Sequence, residues 1–135
     1  MTKREHRFFN LAKATALCSP HKKFNIGAVI INHNKQILSI AYNQTKSHPE
    51  QKKLNKYRYT PYDKDKNFLH AELAAILKAN KEELKNAIIY VYRQDLNGHI
   101  ACSRPCPACM AKIKEVGIRV IYYTTRDGFC KEQLY

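Results

Sequence analysis

Apolar residues follow one another almost without interruption in four short stretches of this chain, at residues 24–31, 36–42, 87–93 and 118–123. Stretches of this length and continuity are typical of strands that are buried on both faces. Because helices on both sides are needed to cover such a sheet, the pattern predicts a three-layer α/β/α architecture. We expect a mixed sheet of about four to five strands, in which an Asn-rich turn joins the first two strands into a hairpin.

Three segments carry apolar residues at the spacing of a helix that packs on one side. The first covers residues 3–18 and ends before Pro20, and the second begins near Leu69. The third follows Cys106 and ends at Gly117, a residue type that commonly terminates helices. Each of the two later helices follows a strand, so we expect both to begin at one edge of the sheet, where open α/β sheets place ligands.

Two further features set expectations about packing and about the end of the chain. Glycine inside a strand is costly unless another backbone approaches closely, so Gly27 predicts a tightly packed neighbour on the first strand. Residues 124–135 are few, and we expect this tail to be too short for an additional strand and helix.

Residues 43–67 have no sustained period and form a long connection before the second predicted helix. Connections of this length are usually functional or disordered. Basic residues alternate here with Tyr57, Tyr59 and Tyr62, a combination that suits single-stranded nucleic acids and nucleotides, because charge attracts phosphate and rings stack on bases. A short helix over residues 49–55 with ordinary surface tyrosines explains the same residues, and both interpretations remain open at this point.

Composition places the chain among globular proteins that fold without disulfides. A length of 135 residues and a hydrophobic content of 44% suffice for a buried core, so we expect a single domain over residues 1–135. No apolar run reaches the ~18 residues of a membrane span, and the charged start lacks a signal-peptide core. We therefore expect a cytoplasmic protein without a membrane partner, in which Cys18, Cys102 and Cys130 are free thiols.

The formal net charge of the chain is +13, and its pI is about 9.6. A charge of this size attracts phosphate-bearing partners over long range, and single-stranded nucleic acid is one such partner for a basic surface. A lysine-rich composition that extends over the whole chain is the alternative explanation.

The chemistry of the chain is concentrated in two short motifs, His70-Ala71-Glu72 and Pro105-Cys106-Pro107-Ala108-Cys109. One histidine and one Cys-x-x-Cys pair offer three ligands for Zn²⁺, namely His70, Cys106 and Cys109. Structural zinc is closed by four protein ligands, whereas catalytic zinc takes three and leaves the fourth position to water. Such a water has a pKa near 7, and Glu72 is close enough in sequence to carry its proton.

A zinc-ribbon-like structural site is the alternative for these ligands. It requires a fourth protein ligand, and the candidates His99, Cys102 and Cys130 do not stand at the usual paired spacing. The remaining histidines lie at no ligand spacing either, so we expect exposed or loop-packing roles for them; they are His6, His21, His33 and His48.

The two motifs, in this order, resemble those of the cytidine and deoxycytidylate deaminase superfamily, and the resemblance covers roughly residues 24–123. It implies a cytidine-deaminase-like fold in which the histidine and both cysteines bind Zn²⁺. It also implies that Glu72 takes the proton of the zinc-bound water, protonates N3 of the ring and passes a proton to the departing amine, while hydroxide attacks C4 of cytosine. By the same resemblance, the backbone N–H of Ala71 binds the base carbonyl and Asn43 contacts the sugar.

Residues 105–118 are most similar to deoxycytidylate deaminases within that superfamily. The resemblance implies hydrolytic deamination of a (deoxy)cytidine nucleotide such as dCMP to the uracil form, with release of ammonia. Arg104 stands where related branches carry glutamate or serine, and we expect either Arg104 or a lysine or arginine of residues 43–67 to bind the substrate phosphate.

Several alternatives to this function remain. They are a cytosine deaminase that acts on single-stranded DNA or RNA, a tRNA adenosine deaminase, and a binding protein without activity, although no expected catalytic residue is missing. Members of the superfamily are commonly dimers or larger, so the resemblance also implies a homo-oligomer, for which the sequence specifies no interface.

Overall fold

The computed structural model describes residues 2–54, 56 and 68–134. The helices and strands follow in the order α1 (Lys3–Ala16), β1 (Phe24–Ile31), β2 (Ile37–Tyr42), α2 (Pro49–Leu54), α3 (Ala71–Lys78), β3 (Ile88–Asp95), α4 (Pro107–Glu115), β4 (Val120–Thr125) and β5 (Gly128–Gln133). The five strands form a sheet in the order β2-β1-β3-β4-β5. β3 and β4 are parallel and the other neighbours are antiparallel, which confirms the predicted mixed sheet.

Helices cover both faces of the sheet, as the continuous apolar strands predicted. On one face, Phe8 and Phe9 of α1 pack against Tyr90 and Tyr122 of the central strands. On the other face, the apolar sides of α3 and α4 form the larger core cluster with the alternate residues of the same strands. Both helices that carry the zinc motif therefore lie on one side of the sheet.

Gly27 of β1 lies where α1 crosses the sheet. A Cβ atom at this position would clash with the backbone oxygen of Ala12 and would lie 2.6 Å from the backbone nitrogen of Ala16. The close neighbour that Gly27 predicted is therefore the backbone of α1. The absence of a side chain lets this helix pack directly on the strand.

The tail after residue 123 differs from the expectation, because it forms β5. Thr125 pairs with Gly128, so Arg126 and Asp127 make a two-residue loop between β4 and β5. Antiparallel neighbours can be joined by a two-residue loop, so a hairpin strand needs no crossover and only a few residues. The tail is thus long enough for a further strand, although the described residues add no helix after it.

In the described part of the chain, no helix has the length and apolar character needed to cross a membrane.

Substitution of Gly27 by alanine tests the contact between α1 and β1. We expect Gly27→Ala to lower the free energy of unfolding by about 3 kcal/mol or more, because the new methyl group must displace helix backbone. Gly98→Ala is the matched control: no atom lies within 4 Å of its added methyl group, and its φ of +83° adds only local strain of about 1–2 kcal/mol. Urea denaturation measures both variants, and a Gly27→Ala loss no larger than the Gly98→Ala loss would contradict this packing.

Candidate metal centre and substrate pocket

The two sequence motifs occupy equivalent positions at the starts of two helices. His70 is the N-cap of α3 and Cys106 is the N-cap of α4, and both have extended backbone conformations. Pro107 is the first residue of α4, where its missing N–H costs no hydrogen bond. This arrangement turns the ligand side chains of both helices toward a common point.

Three side chains make up the metal-binding cluster in the described part of the chain: His70, Cys106 and Cys109. Nδ1 of His70 lies 3.7 Å from Sγ of Cys106 and 3.3 Å from Sγ of Cys109. Tetrahedral zinc with ordinary Zn–S and Zn–N bonds separates such atoms by about 3.6 Å. The spacing therefore fits zinc, and the structural zinc alternative lacks its fourth ligand among the described residues.

The two cysteines are coupled to each other as well as to the histidine. A hydrogen bond from Cys109 lowers the pKa of the Cys106 thiol to about 4, and the neighbouring His70 acts in the same direction. The same hydrogen bond, together with burial, raises the pKa of Cys109 well above its usual value. Cys106 therefore gives up its proton more readily than Cys109, and binding of a metal by both cysteines releases the protons that remain.

Glu72 lies in the first turn of α3 beside this cluster and is 5% exposed. Burial raises the pKa of its carboxyl group, although the nearby His70 partly opposes the shift. Its Oε1 atom is buried and has no hydrogen-bond partner among the described residues. An unpartnered buried carboxylate oxygen is costly, so it marks a place where a water or a ligand group binds.

A glutamine that the sequence analysis did not identify holds the histidine in place. The side-chain oxygen of Gln51 accepts a hydrogen bond of 3.1 Å from the backbone nitrogen of His70. Gln51 is fully buried in α2, and this helix, Pro49–Leu54, is the short helix that one of the two interpretations of the long connection contained. The tyrosines of that connection, at positions 57, 59 and 62, lie outside the described residues.

A pocket of about 230 Å³ opens above the cluster. Glu72, His70 and Cys106 form part of its wall, together with Asn43 and Arg104. Ala71 is fully buried at the first position of α3, where the backbone N–H has no carbonyl partner within the helix. The structure thus brings the predicted site residues into one region of the molecule.

Asn43 lies in the pocket wall with its amide engaged by the start of β1. Its Oδ1 atom accepts a hydrogen bond of 2.9 Å from the backbone nitrogen of Ile26, and its Nδ2 atom donates to the carbonyl of Phe24 at 3.3 Å. The side chain is 3% exposed. Asn43 therefore fixes the edge of β1 that borders the pocket, and its contact with a sugar stays a prediction.

Arg104 is held by the strand that the sequence analysis did not expect. Its Nε and Nη2 atoms donate to Oε2 and Oε1 of Glu132 at 2.8 and 3.1 Å. The hydrogen bond from Arg104 is the main reason why the pKa of the Glu132 carboxyl group is lowered. A hydrogen bond from Tyr123 of β4 lowers this pKa further. β5 consequently orients Arg104 in the pocket. This role of Glu132 could not be inferred from the sequence without predicting β5.

A stack of three side chains forms the opposite wall of the pocket. His21 packs parallel to Phe24 with ring centroids 4.3 Å apart, and the guanidinium of Arg93 lies 4.4 Å from the centre of the Phe24 ring. His21 is buried, as its expected loop-packing role requires, but it also lines the pocket. Arg93 belongs to a buried strand, and its sequence context gave no signal for a pocket residue.

Comparison with known proteins agrees with this geometry. Residues 2–125 match the family described as the cytidine and deoxycytidylate deaminase zinc-binding region. A protein of Aliivibrio fischeri, named as an uncharacterized deaminase in the luxG 3′ region, is 34% identical over 116 residues, which cover 86% of this chain and 69% of the relative.

Solved structures show the same fold at lower identity. The dCMP deaminase from the cyanophage S-TIM5 has a TM-score of 0.65 and 23% identity, with 93% of this chain and 86% of that chain covered. The cytidine deaminase from Mycobacterium leprae has a TM-score of 0.57 and 19% identity, with coverages of 93% and 91%. With a match over nearly its whole length and the zinc ligands in place, the chain belongs to the cytidine and deoxycytidylate deaminase family.

Proposed function

We propose that this deaminase hydrolyses the cytosine base of a (deoxy)cytidine nucleotide such as dCMP to the uracil form and ammonia. The observation that carries the proposal is the unpartnered, buried carboxylate oxygen of Glu72 beside a cluster of three metal ligands. A carboxyl group in this position has the burial and the raised pKa that suit repeated transfer of a proton.

The residues of the chain divide the chemistry between them. Zinc held by His70, Cys106 and Cys109 supplies Lewis-acid activation of water at neutral pH. Glu72 accepts a proton from the attacking water and delivers it to N3 of the ring. It then accepts the remaining proton of the added hydroxyl group and delivers it to the amino group as that group leaves C4. Water adds, ammonia departs, and the carboxyl group ends the cycle in its starting state. The backbone N–H of Ala71 binds the base carbonyl and orients the ring.

The charge of the pocket supports a phosphorylated substrate. Three cations, Lys23, Arg93 and Arg104, belong to its lining, whereas Glu72 is the one carboxylate among the described lining residues. Because Glu72 lies at the metal cluster, the excess of positive charge in this lining favours an anionic group carried farther from the base. A phosphate on the sugar meets that requirement, and a neutral nucleoside does not.

A panel of substrates tests the proposal. Zinc-loaded enzyme is incubated with dCMP, dCTP, cytidine, single-stranded DNA and RNA at two salt concentrations, and ammonia and uracil products are measured. We expect turnover of a monomeric nucleotide with kcat/KM at least about 10-fold above that for cytidine, the effect of one lost phosphate contact. Turnover confined to a polymer, with strong salt sensitivity, would instead support the polynucleotide alternative that the net charge of +13 favours.

Removal of the carboxylate tests the proton transfer directly. Glu72→Ala should lower kcat by about 10²-fold or more, because general acid–base catalysis contributes factors of 10² to 10⁴. The variant should retain one zinc per chain by elemental analysis, since Glu72 is not part of the ligand cluster. Ammonia release by Glu72→Ala at the wild-type rate would contradict the assigned role.

Two cysteine variants provide the controls for zinc content. Cys106→Ala should lose stoichiometric zinc, whereas Cys102→Ala should keep it, although Cys102 lines the same pocket and is exposed. Equal zinc content in the two variants would contradict the ligand assignment and would leave the Glu72 result to be judged separately.

The ion pair between Arg104 and Glu132 predicts a selective effect on binding. Glu132→Gln should raise KM for dCMP about 10-fold with little change for cytidine, because Arg104 loses the partner that orients it toward a phosphate. Glu115→Gln is the matched control, since it makes the same chemical change in the ion pair between the exposed Glu115 and Lys112. Steady-state kinetics measure both variants, and an equal rise of KM for cytidine and dCMP would refute a phosphate-directed role.

A further inference from the structure

A second cavity, of about 260 Å³, lies at the other end of the sheet from the metal cluster. Ile88, the first residue of β3, lines this cavity, while Arg93 of the same strand lines the metal pocket. Five residues of extended strand span roughly 17 Å, so the two cavities are separate. Nothing in the deamination chemistry uses the second one.

Cations from three distant parts of the chain meet around this cavity: Lys35 from the β1–β2 turn, Arg119 before β4, and Lys131 from β5. All three are exposed, and none has a carboxylate partner among the described residues. The side-chain amides of Asn86 and Gln133 add neutral hydrogen-bond donors to the same lining.

The alternation of side chains along β5 keeps negative charge away from the cavity. Lys131 pairs in register with Tyr122 and Gln133 with Val120, so both face the α1 side of the sheet. Glu132, between them, points to the opposite face and binds Arg104. The one acidic residue of β5 is therefore committed elsewhere, and its two neighbours present donors.

The floor of the cavity is aromatic but closed. Tyr122 stacks on Tyr90 with centroids 4.4 Å apart, and the two residues are 7% and 3% exposed. Nζ of Lys131 lies 5.6 Å from the centre of the Tyr122 ring. Glu5 of α1 is close enough to Tyr90 to help raise its pKa, after burial and Tyr122, but it does not line the cavity. Bases cannot stack on rings that are covered, whereas the surrounding cations remain accessible.

We propose that this cavity binds phosphate groups of the backbone of a single-stranded nucleic acid, at a site distinct from the metal centre. Guanidinium, ammonium and amide donors, with no carboxylate among the described lining residues, provide the chemistry that phosphate oxygens require. The net charge of +13 extends the attraction beyond the cavity and favours a long polyanion over an isolated phosphate. Because the tyrosine rings are covered, binding is independent of base sequence.

Fluorescence anisotropy with a 5′-fluorescein-labelled oligonucleotide of twenty thymidines tests the site on the zinc-loaded full chain. The double variant Arg119→Ala/Lys131→Ala should bind at least 10-fold more weakly than wild type. The slope of log K against log salt should become shallower by about 1.4, since each single-strand phosphate contact contributes about 0.7. An oligonucleotide of twenty deoxyadenosines should bind with the same affinity within about twofold.

The matched control is Lys13→Ala/Lys81→Ala, which removes the same charge from two exposed lysines outside the cavity lining. It should bind within about threefold of wild type, and zinc content and the thermal midpoint check that both double variants are folded. Equal weakening of binding in the two double variants would mean that the oligonucleotide responds only to the overall charge of the protein, and it would overturn the proposal. Failure of the oligonucleotide to bind at low salt would also overturn it, as would binding of inorganic tripolyphosphate without binding of the oligonucleotide. These outcomes do not depend on the deamination substrate.

Discussion

The approach of two helix N-termini on one face of the sheet is the constraint on which the rest of the structure depends. Sγ of Cys109 in α4 lies 3.3 Å from Nδ1 of His70, the N-cap of α3. That separation requires β3 and β4 to be parallel, so that α4 starts beyond the end of β3 and returns across the sheet. On the opposite face, Gly27 lets α1 pack on β1, so both faces of the sheet are covered. The fold therefore brings together ligands that are far apart in sequence.

Two features of the centre bear on its reactivity: an incomplete set of metal ligands and a carboxylate oxygen without a partner. Among the described residues, three potential ligand atoms, rather than four, lie within 4.8 Å of one another. The burial that shields Glu72 leaves one of its oxygen atoms without a partner. Such an unpartnered buried oxygen is costly in a folded protein unless a water or a substrate group satisfies it. The same carboxylate thus lowers the stability of the fold and is placed to react.

Local sequence was sufficient for the metal ligands and insufficient for the pocket around them. The spacing of His70, Glu72 and the two cysteines fixes their places in helical turns, so ligand identity could be predicted without tertiary information. Gln51, which bonds to the backbone of His70, and Glu132, which orients Arg104, act across 19 and 28 residues of sequence. Such contacts depend on the docking of α2 and on the β4–β5 hairpin, and no periodic pattern of apolar residues in the sequence predicts them.

An X-ray absorption spectrum at the zinc edge of the wild-type protein tests the central claim, an open position in a three-ligand centre. We predict two sulfur neighbours at about 2.3 Å and two lighter neighbours at about 2.0–2.1 Å, one from His70 and one from water. The lighter shell should change when a substrate analogue binds. A centre with three or four sulfur neighbours, or one that is unaffected by such an analogue, would mean a closed structural zinc and would contradict the account.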